Sequence, residues 1–589
     1  MVFPLNIGYN HHRSMLHSHS KVIALLLAIF FLASAIRMFS LDSIPYAAHT
    51  DEASWGYNAY SILRTGMDEF GKKTPLIFTA YGDQKLPVYT YAIVPFIKIF
   101  GLSNMAVRMP AALAGSILCI FIYLFLRGMQ FGKSESLLGA LITATSPWLL
   151  MLSRVFGLDS GLGLLFFVIG LWLAMKSLKN DRLWFLIGAA VSFGLTWYCY
   201  IAYRVVSTGI IFLYIIIYCR TKALFIRKGL LLIAAYVLVT APLIVLSFSG
   251  QGTSRFSQVI FTSTNGMVMA IDEERGLCAK SLPKIICYLN SNKITTYTSS
   301  FIDRYISALS PPYLFFEGDM KLQFMNIEGY GLMHLVLLPL YLFGLVSYVQ
   351  KIATKQLTKG ELFTLLGLLL SPLPAIVVGD VQKVRISGMY PFMVVTCLYG
   401  LQYMTQYLKG AHMRRVATLV ISTILILNTV FFMVAFLNIH VKKHEISFHN
   451  HVAKLMQYLG KQDKDIHIYI KTIDEAIVLY AYYNVAEPEL FQNHVVRPSK
   501  DAIGFSHATD FQNIHRTDKN FDQIYCATHA QNTYALYATN ENLALLGVAK
   551  KPKKVIYSEG MVHELLFVYD TRDIFAQKVD CEYLMGKDK

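Results

Sequence analysis

The sequence predicts a polytopic α-helical membrane protein with a C-terminal soluble domain. Of its 589 residues, 55% are hydrophobic and only 15% are charged, which is more apolar than a soluble globular chain. Eleven apolar runs are each long enough to cross a hydrocarbon core of about 30 Å. From about residue 440 the hydropathy falls, and the remaining stretch of about 150 residues is enough for one soluble domain.

The first apolar run lacks a small-residue cleavage site after it, so we expect it to be retained as a helix. The eleven predicted spans lie at about 22–38, 108–126, 136–152, 160–175, 183–199, 205–219, 229–248, 329–349, 362–378, 388–407 and 416–437. The predicted domains are a transmembrane domain over 1–439, with exterior loops at about 39–107 and 249–328, and a soluble domain over 440–589.

Charge in the short loops predicts the orientation. The alternating set of loops that includes the N-terminus carries seventeen Lys and Arg against three acidic residues. Because basic residues concentrate on the cytoplasmic side, we expect a cytoplasmic N-terminus and an exterior C-terminus, in the inner membrane of a bacterium. The formal net charge of +16 is then mainly a topology signal, and no basic stripe indicates a nucleic-acid partner.

Local patterns predict structure on the exterior side. Thr50 or Asp51 is a good cap for a helix that runs to Arg64, with Gly66 at its end. The C-terminal domain reads as α/β or α+β. Its expected elements are strands at Asp465–Lys471 and Gln523–Ala527, helices at Ser447–Leu459 and Asp474–Tyr483, and a hairpin at Lys554–Tyr569. The four exterior cysteines allow two bridges, and neighbours within a segment favour Cys278–Cys287 and Cys526–Cys581.

Charged residues are concentrated near the outer ends of the spans. An ionised group close to lipid costs free energy, so such residues often have a function. They are Asp51, Glu52, Asp83, Lys85, Arg108, Arg154, Asp159, Arg204, Asp380, Lys383 and Arg385. Each arginine alone has an ordinary explanation, which is pairing with a neighbouring carboxylate or reaching the headgroups. As a set they favour a phosphate-bearing lipid such as a polyprenyl phosphate, because guanidinium donors match phosphate oxygens.

The acidic pair Asp51 and Glu52 has two interpretations. Acidic residues in a first helical turn offset the helix dipole, and this structural role is sufficient for either residue taken alone. Beside arginines and tyrosines on the same face, a carboxylate becomes a candidate base that takes a proton from an acceptor hydroxyl.

Three motifs carry a resemblance to a known family. They are Asp51-Glu52 with Tyr57-Asn58-Ala59, then Asp83-Gln84-Lys85-Leu86-Pro87, then Val107-Arg108-Met109-Pro110. The sequence resembles glycosyltransferase family 39, the GT-C membrane enzymes that include protein O-mannosyltransferases and a lipid A aminoarabinose transferase. The resemblance is clearest over 22–175, looser to about 407, and also includes Ser371-Pro372-Leu373-Pro374 before Arg385.

The resemblance implies an inverting transfer of a sugar from a polyprenyl-phosphate carrier to an acceptor on the outer face. Asp51 matches the catalytic acidic residue, with Glu52 as its neighbour. Lys85, Arg108 and Asp159 match a lysine, an Arg-x-Pro arginine and an acidic residue of the family. Asp83-Gln84 stands where the family has a Glu that holds a metal, so no cofactor is required and a divalent metal is left open.

From these residues we hypothesise that Asp51 deprotonates the acceptor, while Lys85 and some of the arginines stabilise the departing phosphate. The phosphate-binding candidates are Lys85, Arg108, Arg154, Arg204 and Arg385, and the substrate-binding candidates are Asp83, Asp159 and Tyr57. The sugar is not predicted, and a protein hydroxyl, a lipid A phosphate and another glycan stay open as acceptors. The alternatives are a polyprenyl-lipid or glycolipid flippase, disfavoured by span centres that are almost free of ionisable groups, and a non-catalytic scaffold.

Overall fold

In the computed structural model the chain forms two compact units, one of residues 1–39 with 111–435 and one of residues 40–110 with 436–589. The structure describes residues 7–80, 83–180, 182–248, 265–319, 323–377, 381–406, 411–462, 466–469, 476–498, 506–516, 533–536, 554–557 and 564–570. One boundary between the two units falls between residues 435 and 436. The first exterior loop, however, groups with the C-terminal segment and not with the spans, a long-range pairing that hydropathy does not encode.

Helices make up the first unit. They are α1 (Ile7–Met38), most of α4 (Asn104–Gly128), α5 (Lys133–Thr145), α6 (Pro147–Arg154), α7 (Leu158–Lys179), α8 (Trp184–Thr196), α9 (Tyr203–Tyr218), α10 (Lys222–Leu224), α11 (Leu230–Phe248), α12 (Asn265–Cys278), α13 (Lys284–Asn290), α14 (Lys293–Leu309), α15 (Leu338–Ala353), α16 (Lys359–Leu370), α17 (Leu373–Val377), α18 (Tyr390–Gln406) and α19 (Ala411–Ala435). Short 3₁₀ or π turns occur at Phe225–Gly229, Pro312–Glu317, Gln323–Met325, Leu335–Leu337 and Ser387–Met389.

The predicted class, a polytopic helical membrane protein, is confirmed. Among the described residues, seven helices are long and apolar enough to span a membrane, or eight if the bent pair α5 and α6 counts as one span. The other three predicted spans coincide with α8, α9 and α18, which have 13, 16 and 17 residues. Apolar sequence continues through the turns that end α8, so the sequence predicts a longer helix there than the structure has.

A proline and a buried arginine shape the bent pair, whose axes differ by 50°. Pro147 has no N–H, and the amide of Trp148 donates to Leu332 O at 3.0 Å, so the carbonyls of Thr143 and Ala144 lose their helical donors. Arg37 replaces them, because its guanidinium donates to Thr143 O at 3.2 Å and to Ala144 O at 2.9 Å. A fully buried arginine is therefore part of the framework of the spans.

Two glycines allow α15 and α18 to pack closely. A Cβ on Gly400 would lie 1.8 Å from Leu340 O, and one on Gly344 would lie 2.2 Å from Thr396 O. Small residues at a helix crossing let the two backbones approach closely. Close packing matters in a membrane because lipid tails are as apolar as the helix surfaces, so the hydrophobic effect does not drive helices together.

The second unit combines helices with a mixed sheet. Its helices are α2 (Thr50–Thr65), α3 (Pro87–Phe100), the first turns of α4, a π turn at Phe436–His440, α20 (Val441–Lys443), α21 (Asn450–Leu459), α22 (Ala476–Tyr483) and α23 (Pro488–His494). Its strands are β1 (Phe78–Ala80), β2 (Asp83–Lys85), β3 (Ile466–Tyr469), β4 (Asp510–Phe511), β5 (Ile514–Arg516), β6 (Thr533–Leu536), β7 (Lys554–Tyr557) and β8 (Glu564–Asp570).

Six of these strands form a sheet in the order β4-β5-β3-β6-β8-β7. β3 runs parallel to β5 and β6, while β7 and β8 form the antiparallel hairpin predicted near 554–569. The predicted helices at Ser447–Leu459 and Asp474–Tyr483 correspond to α21 and α22, and the strand expected at Gln523–Ala527 lies outside the described residues.

The Cys278–Cys287 disulfide predicted from sequence is present. Cys526 and Cys581 lie outside the described residues.

Candidate active site

The acidic pair lies in the first turn of α2, where it organises the helix start. His49 is the N-cap in an extended conformation, and its Nδ1 accepts a hydrogen bond from the Asp51 amide at 3.3 Å. Glu52 completes the capping box by accepting the His49 amide at 2.8 Å. The first turn is thus fixed by its own side chains, and the Asp51 carboxylate is left to act elsewhere.

Glu52 and Arg108 form a buried ion pair. Arg108 Nε donates to Glu52 Oε1 at 2.7 Å and Nη2 donates to Oε2 at 3.1 Å. The same guanidinium donates to the carbonyls of Leu41, Pro45 and Ala47 at 2.7 to 3.0 Å. All five bonds lie within the second unit and both side chains are buried. The two residues therefore hold the segment before α2 in place, and the geometry assigns them positioning roles in place of the expected phosphate binding and catalysis.

Asp51 is the accessible residue of the site, and the buried Lys85 is paired with it. Lys85 Nζ donates to Asp51 Oδ1, and the ammonium group lies 5.4 Å from the ring centroid of Trp55. Lys85 ends the short hairpin of β1 and β2, which fixes its direction of approach. The Asp51 side chain is 27% exposed and that of Lys85 is 9% exposed. Asp51 is therefore the member of the acidic pair that a substrate can reach.

A histidine that the sequence did not predict lies beside this pair. The ring of His449 stacks on His49 with 5.1 Å between centroids. Burial, and then the neighbouring His49, lower the pKa of His449 to about 3, and burial lowers that of His451 to about 4. Both rings are neutral at ordinary pH. The only sequence signal was the run of histidines between His440 and His451, after the last span.

The substrate-binding candidate Tyr57 lies in the core of the second unit. Its side chain is completely buried, its hydroxyl donates to Ala486 O at 3.2 Å, and its ring meets Phe491 at 5.0 Å. This burial corrects the expectation, since Tyr57 packs α2 against α23 and has no surface for a substrate. The side chain of Asp83 lies outside the described residues, although its backbone belongs to β2.

The remaining candidates belong to the first unit. Arg154 is buried and donates to the carbonyls of Ile36, Arg37 and Phe39, each at 2.8 Å, so it holds the end of α1. This engagement corrects the expectation that Arg154 binds phosphate. Arg204 lies 5.7 Å from the ring centroid of Trp197, and Asp159 Oδ1 accepts the Ser160 amide at 2.8 Å. Arg204, Arg385 and Asp159 are partly exposed. That they join Asp51 and Lys85 in one cavity stays a prediction.

A second buried carboxylate, Glu69, was also missed. It accepts hydrogen bonds from Asn58 Nδ2 at 3.0 Å and from Arg497 Nη2 at 3.5 Å, while Arg497 stacks on Phe70 at 4.0 Å. Burial raises the pKa of Glu69 to about 7, against the lowering effect of Arg497 and Asn58. No periodicity or motif marks Glu69, because its partner Arg497 is more than 400 residues away.

The described residues contain no group of three or more His, Cys, Asp or Glu side chains that fits a metal ion. Near Asp51, one carboxylate oxygen is already bound by Lys85, and the neighbouring Glu52 is bound by Arg108. In this conformation the two carboxylates thus have cationic partners from the protein itself.

Comparison with known proteins adds to this geometry. Residues 84–246 match the family model described as dolichyl-phosphate-mannose-protein mannosyltransferase. The fold is similar to that of ArnT from Cupriavidus metallidurans in the apo state, with a TM-score of 0.50 and 11% identity over 96% of this chain and 100% of that one. The chain has the GT-C fold of membrane glycosyltransferases. The family model and the fold confirm the predicted resemblance to glycosyltransferase family 39.

Two further structures are similar at lower scores. ArnT from Cupriavidus metallidurans bound to undecaprenyl phosphate has a TM-score of 0.47 and 11% identity, covering 94% of this chain and 98% of that one. The oligosaccharyltransferase of Archaeoglobus fulgidus in complex with Zn and sulfate has a TM-score of 0.46 and 13% identity, covering 77% and 61%. No curated protein sequence matches the chain.

Proposed function

We propose that this glycosyltransferase moves a sugar from a polyprenyl-phosphate donor to an acceptor hydroxyl on the exterior face of a bacterial inner membrane, with inversion. The observation that carries the proposal is the Asp51–Lys85 pair, an accessible carboxylate and an ammonium group held together at the start of α2. The description of the family model, which names a lipid-phosphate sugar, supports this class of donor. Protein, lipid and glycan acceptors fit the mechanism equally.

The chemistry needs a base and a cation on opposite sides of the anomeric carbon. The acceptor oxygen forms a bond to that carbon and gives its proton to Asp51. The bond from carbon to the phosphate oxygen breaks, and the phosphate leaves with the electron pair. Lys85 stabilises the negative charge that develops there, an electrostatic role that enzymes fill with fixed donors.

The ion pair gives this mechanism an order of events. While Lys85 Nζ donates to Asp51 Oδ1, that carboxylate oxygen is occupied and cannot take a proton from the acceptor hydroxyl. An arriving donor phosphate competes for the Lys85 ammonium and so releases Asp51 for the acceptor. The partly exposed Arg204 and Arg385 are proposed as further phosphate ligands, and Asp159 and Asp83 as sugar ligands.

The positioning residues account for the accuracy of this arrangement. Glu52 and Arg108 fix the backbone on both sides of His49, so the Asp51 side chain starts from a rigid first turn. A reacting group that is displaced by even 1 Å loses much of its rate advantage, so a dense hydrogen-bond network behind it is expected.

Sugar transfer by the purified full-length protein tests the proposal. A radiolabelled polyprenyl-phosphate sugar is incubated with membrane extract as the acceptor source, and product formation is compared between wild type, Asp51→Asn and the exposed control Glu489→Gln. We expect the loss of at least about a hundredfold in rate for Asp51→Asn and none for the control. Near-normal turnover of Asp51→Asn refutes the role of Asp51, and lipid translocation without transfer by the wild type supports the flippase.

A further inference from the structure

Three consecutive helices of the first unit form a disulfide-linked hairpin, defined here as residues 265–309. It consists of α12, α13 and α14 and lies between the candidate spans Lys222–Phe248 and Leu335–Ala353. The Cys278–Cys287 bridge ties the end of α12 to α13. Arg275 reinforces the turn, since it donates to Ser291 O at 2.7 Å and stacks on Tyr288 at 4.5 Å.

The hairpin exposes large apolar side chains, although it lies outside the candidate spans. On α13, Ile285 and Leu289 are each 71% exposed, and on α14, Ile294 is 78% exposed. Its other exposed apolar side chains are Val268, Met269, Leu277, Leu282, Ile286, Tyr288, Phe301, Ile302 and Ile306. Exposed large apolar side chains in this number mark a surface that another apolar phase covers.

Helical periodicity places the apolar residues of α14 on one face. Ile294, Phe301, Ile302, Tyr305 and Ile306 recur at spacings of seven, eight, eleven and twelve residues from the first. Those spacings fall on one side of a helix with 3.6 residues per turn, and Asp303 falls on the opposite side. Such a helix is typical of one that lies in the plane of a membrane surface.

One hydrogen bond fixes the level of this face. The Tyr305 hydroxyl donates to Leu369 O at 2.6 Å, and Leu369 belongs to the candidate span Lys359–Ile376. Leu369 is in the last turn of α16, where carbonyls lack helical donors. The apolar face of α14 is therefore attached to the end of a candidate span.

The basic residues of the hairpin are concentrated in α13 and α14. In residues 265–278 Arg275 stands against Asp272, Glu273 and Glu274, whereas between residues 279 and 309 the basic residues are Lys280, Lys284, Lys293 and Arg304, against the single acidic residue Asp303. Basic side chains beside a buried apolar face gain about 1 kcal/mol each from an anionic membrane surface.

We propose that the hairpin 265–309 docks on the bilayer surface, with the apolar face of α13 and α14 in the acyl region and its basic residues at anionic headgroups. The disulfide and Arg275 hold the helices of the hairpin together as one rigid element. The proposal concerns the lipid contact of this loop and does not depend on the proposed reaction.

Depth-dependent fluorescence quenching tests the proposal on the full-length protein in nanodiscs. An NBD group is attached at Phe301→Cys or, as the matched control on the opposite face of the same helix, at Asp303→Cys. The nanodiscs contain phosphatidylglycerol and a phosphatidylcholine with a nitroxide high on its acyl chain. Unsubstituted protein, whose described free cysteines are buried, gives the labelling background.

We expect the nitroxide to quench the label at 301 at least roughly twofold more than that at 303, and aqueous iodide to show the opposite order. Equal quenching of the two labels by the nitroxide overturns the docking. The docking is also overturned if iodide quenches the label at 301 as strongly as the nitroxide does. A soluble protein partner on this face would give that result, because it would keep the label out of reach of the lipid. Replacing phosphatidylglycerol by neutral lipid is expected to reduce the quenching at 301, and an unchanged value removes the role of the basic residues.

Discussion

The guanidinium of Arg108 donates to both carboxylate oxygens of Glu52, at 2.7 Å and 3.1 Å, with both side chains buried. A buried arginine that loses its carboxylate leaves an unpaired charge, which costs about 3–5 kcal/mol. Three backbone carbonyls of the chain before α2 depend on the same guanidinium. The pair thus fixes the backbone from which the Asp51 side chain starts.

Arg108→Lys is expected to lower thermal stability and transfer activity together, because an ammonium group cannot make the bidentate contact and the carbonyl contacts at once. The measurement is the melting temperature of the purified protein in detergent, alongside kcat and the donor KM. A raised donor KM at an unchanged melting temperature would instead restore Arg108 to phosphate binding. Arg64→Lys, at an exposed ion pair with Glu487, is the matched control.

Lys85→Ala is expected to reduce kcat about a hundredfold, since it removes the cation proposed to stabilise the leaving phosphate. Lys85 is also the partner of Asp51, so the stability of the variant is measured in parallel. Lys85→Arg keeps the charge and is expected to recover part of the rate. The control is Lys98→Ala, at an exposed position in α3. Full activity of Lys85→Ala would contradict the role of Lys85 in stabilising the leaving phosphate. It would not contradict the role of Asp51 as the base.

Glu69 predicts a pH dependence of stability. Its pKa is raised to about 7 when folded, above the ordinary value of 4.5, so the folded state binds the proton more tightly. The contribution of Glu69 to the free energy of unfolding is greatest below pH 4.5. It is lost as the pH rises through about 7, and the loss is about 3 kcal/mol at most. Asn58, Arg497 and the neighbouring Asp68 are the polar and charged groups that act on it.

Glu69→Gln is expected to remove most of that slope, so that its melting temperature falls less than that of the wild type between pH 5 and roughly pH 8. Melting curves at constant ionic strength measure the difference. Parallel curves for the two proteins would show that Glu69 does not titrate in this window. Glu489→Gln, which changes an exposed carboxylate of the same unit, controls for net charge.

Arg37→Leu is expected to destabilise the first unit by a few kcal/mol, because two carbonyls at the break before Pro147 lose buried hydrogen bonds at about 1–3 kcal/mol each. The readout is the melting temperature in detergent, compared with Arg182→Ala at an exposed position. A melting temperature equal to that of the control would mean that water supplies the missing donors.

The sequence by itself determined the membrane class, because the cost of burying charge in lipid imposes long apolar runs. It also predicted the helix that ends before Gly66, the Cys278–Cys287 bridge and the hairpin of β7 and β8, all of which depend on residues close together in the chain, although the N-cap of that helix is His49 and not Thr50 or Asp51. Hydropathy located eleven helical segments but overestimated the length of α8, because apolar residues also fill turns inside a membrane protein.

Only the tertiary structure decided which charged residues are partners. Asp51 and Glu52 are adjacent and equivalent in sequence, yet Asp51 pairs with Lys85 and stays accessible, whereas Glu52 pairs with Arg108 and is buried. Likewise Arg37, Arg154 and Glu69 have roles set by carbonyls or side chains far away in the chain. Composition fixes how many charges a membrane chain carries, but burial and hydrogen-bond geometry decide which of them remain available for chemistry, and both arise only when distant segments pack together.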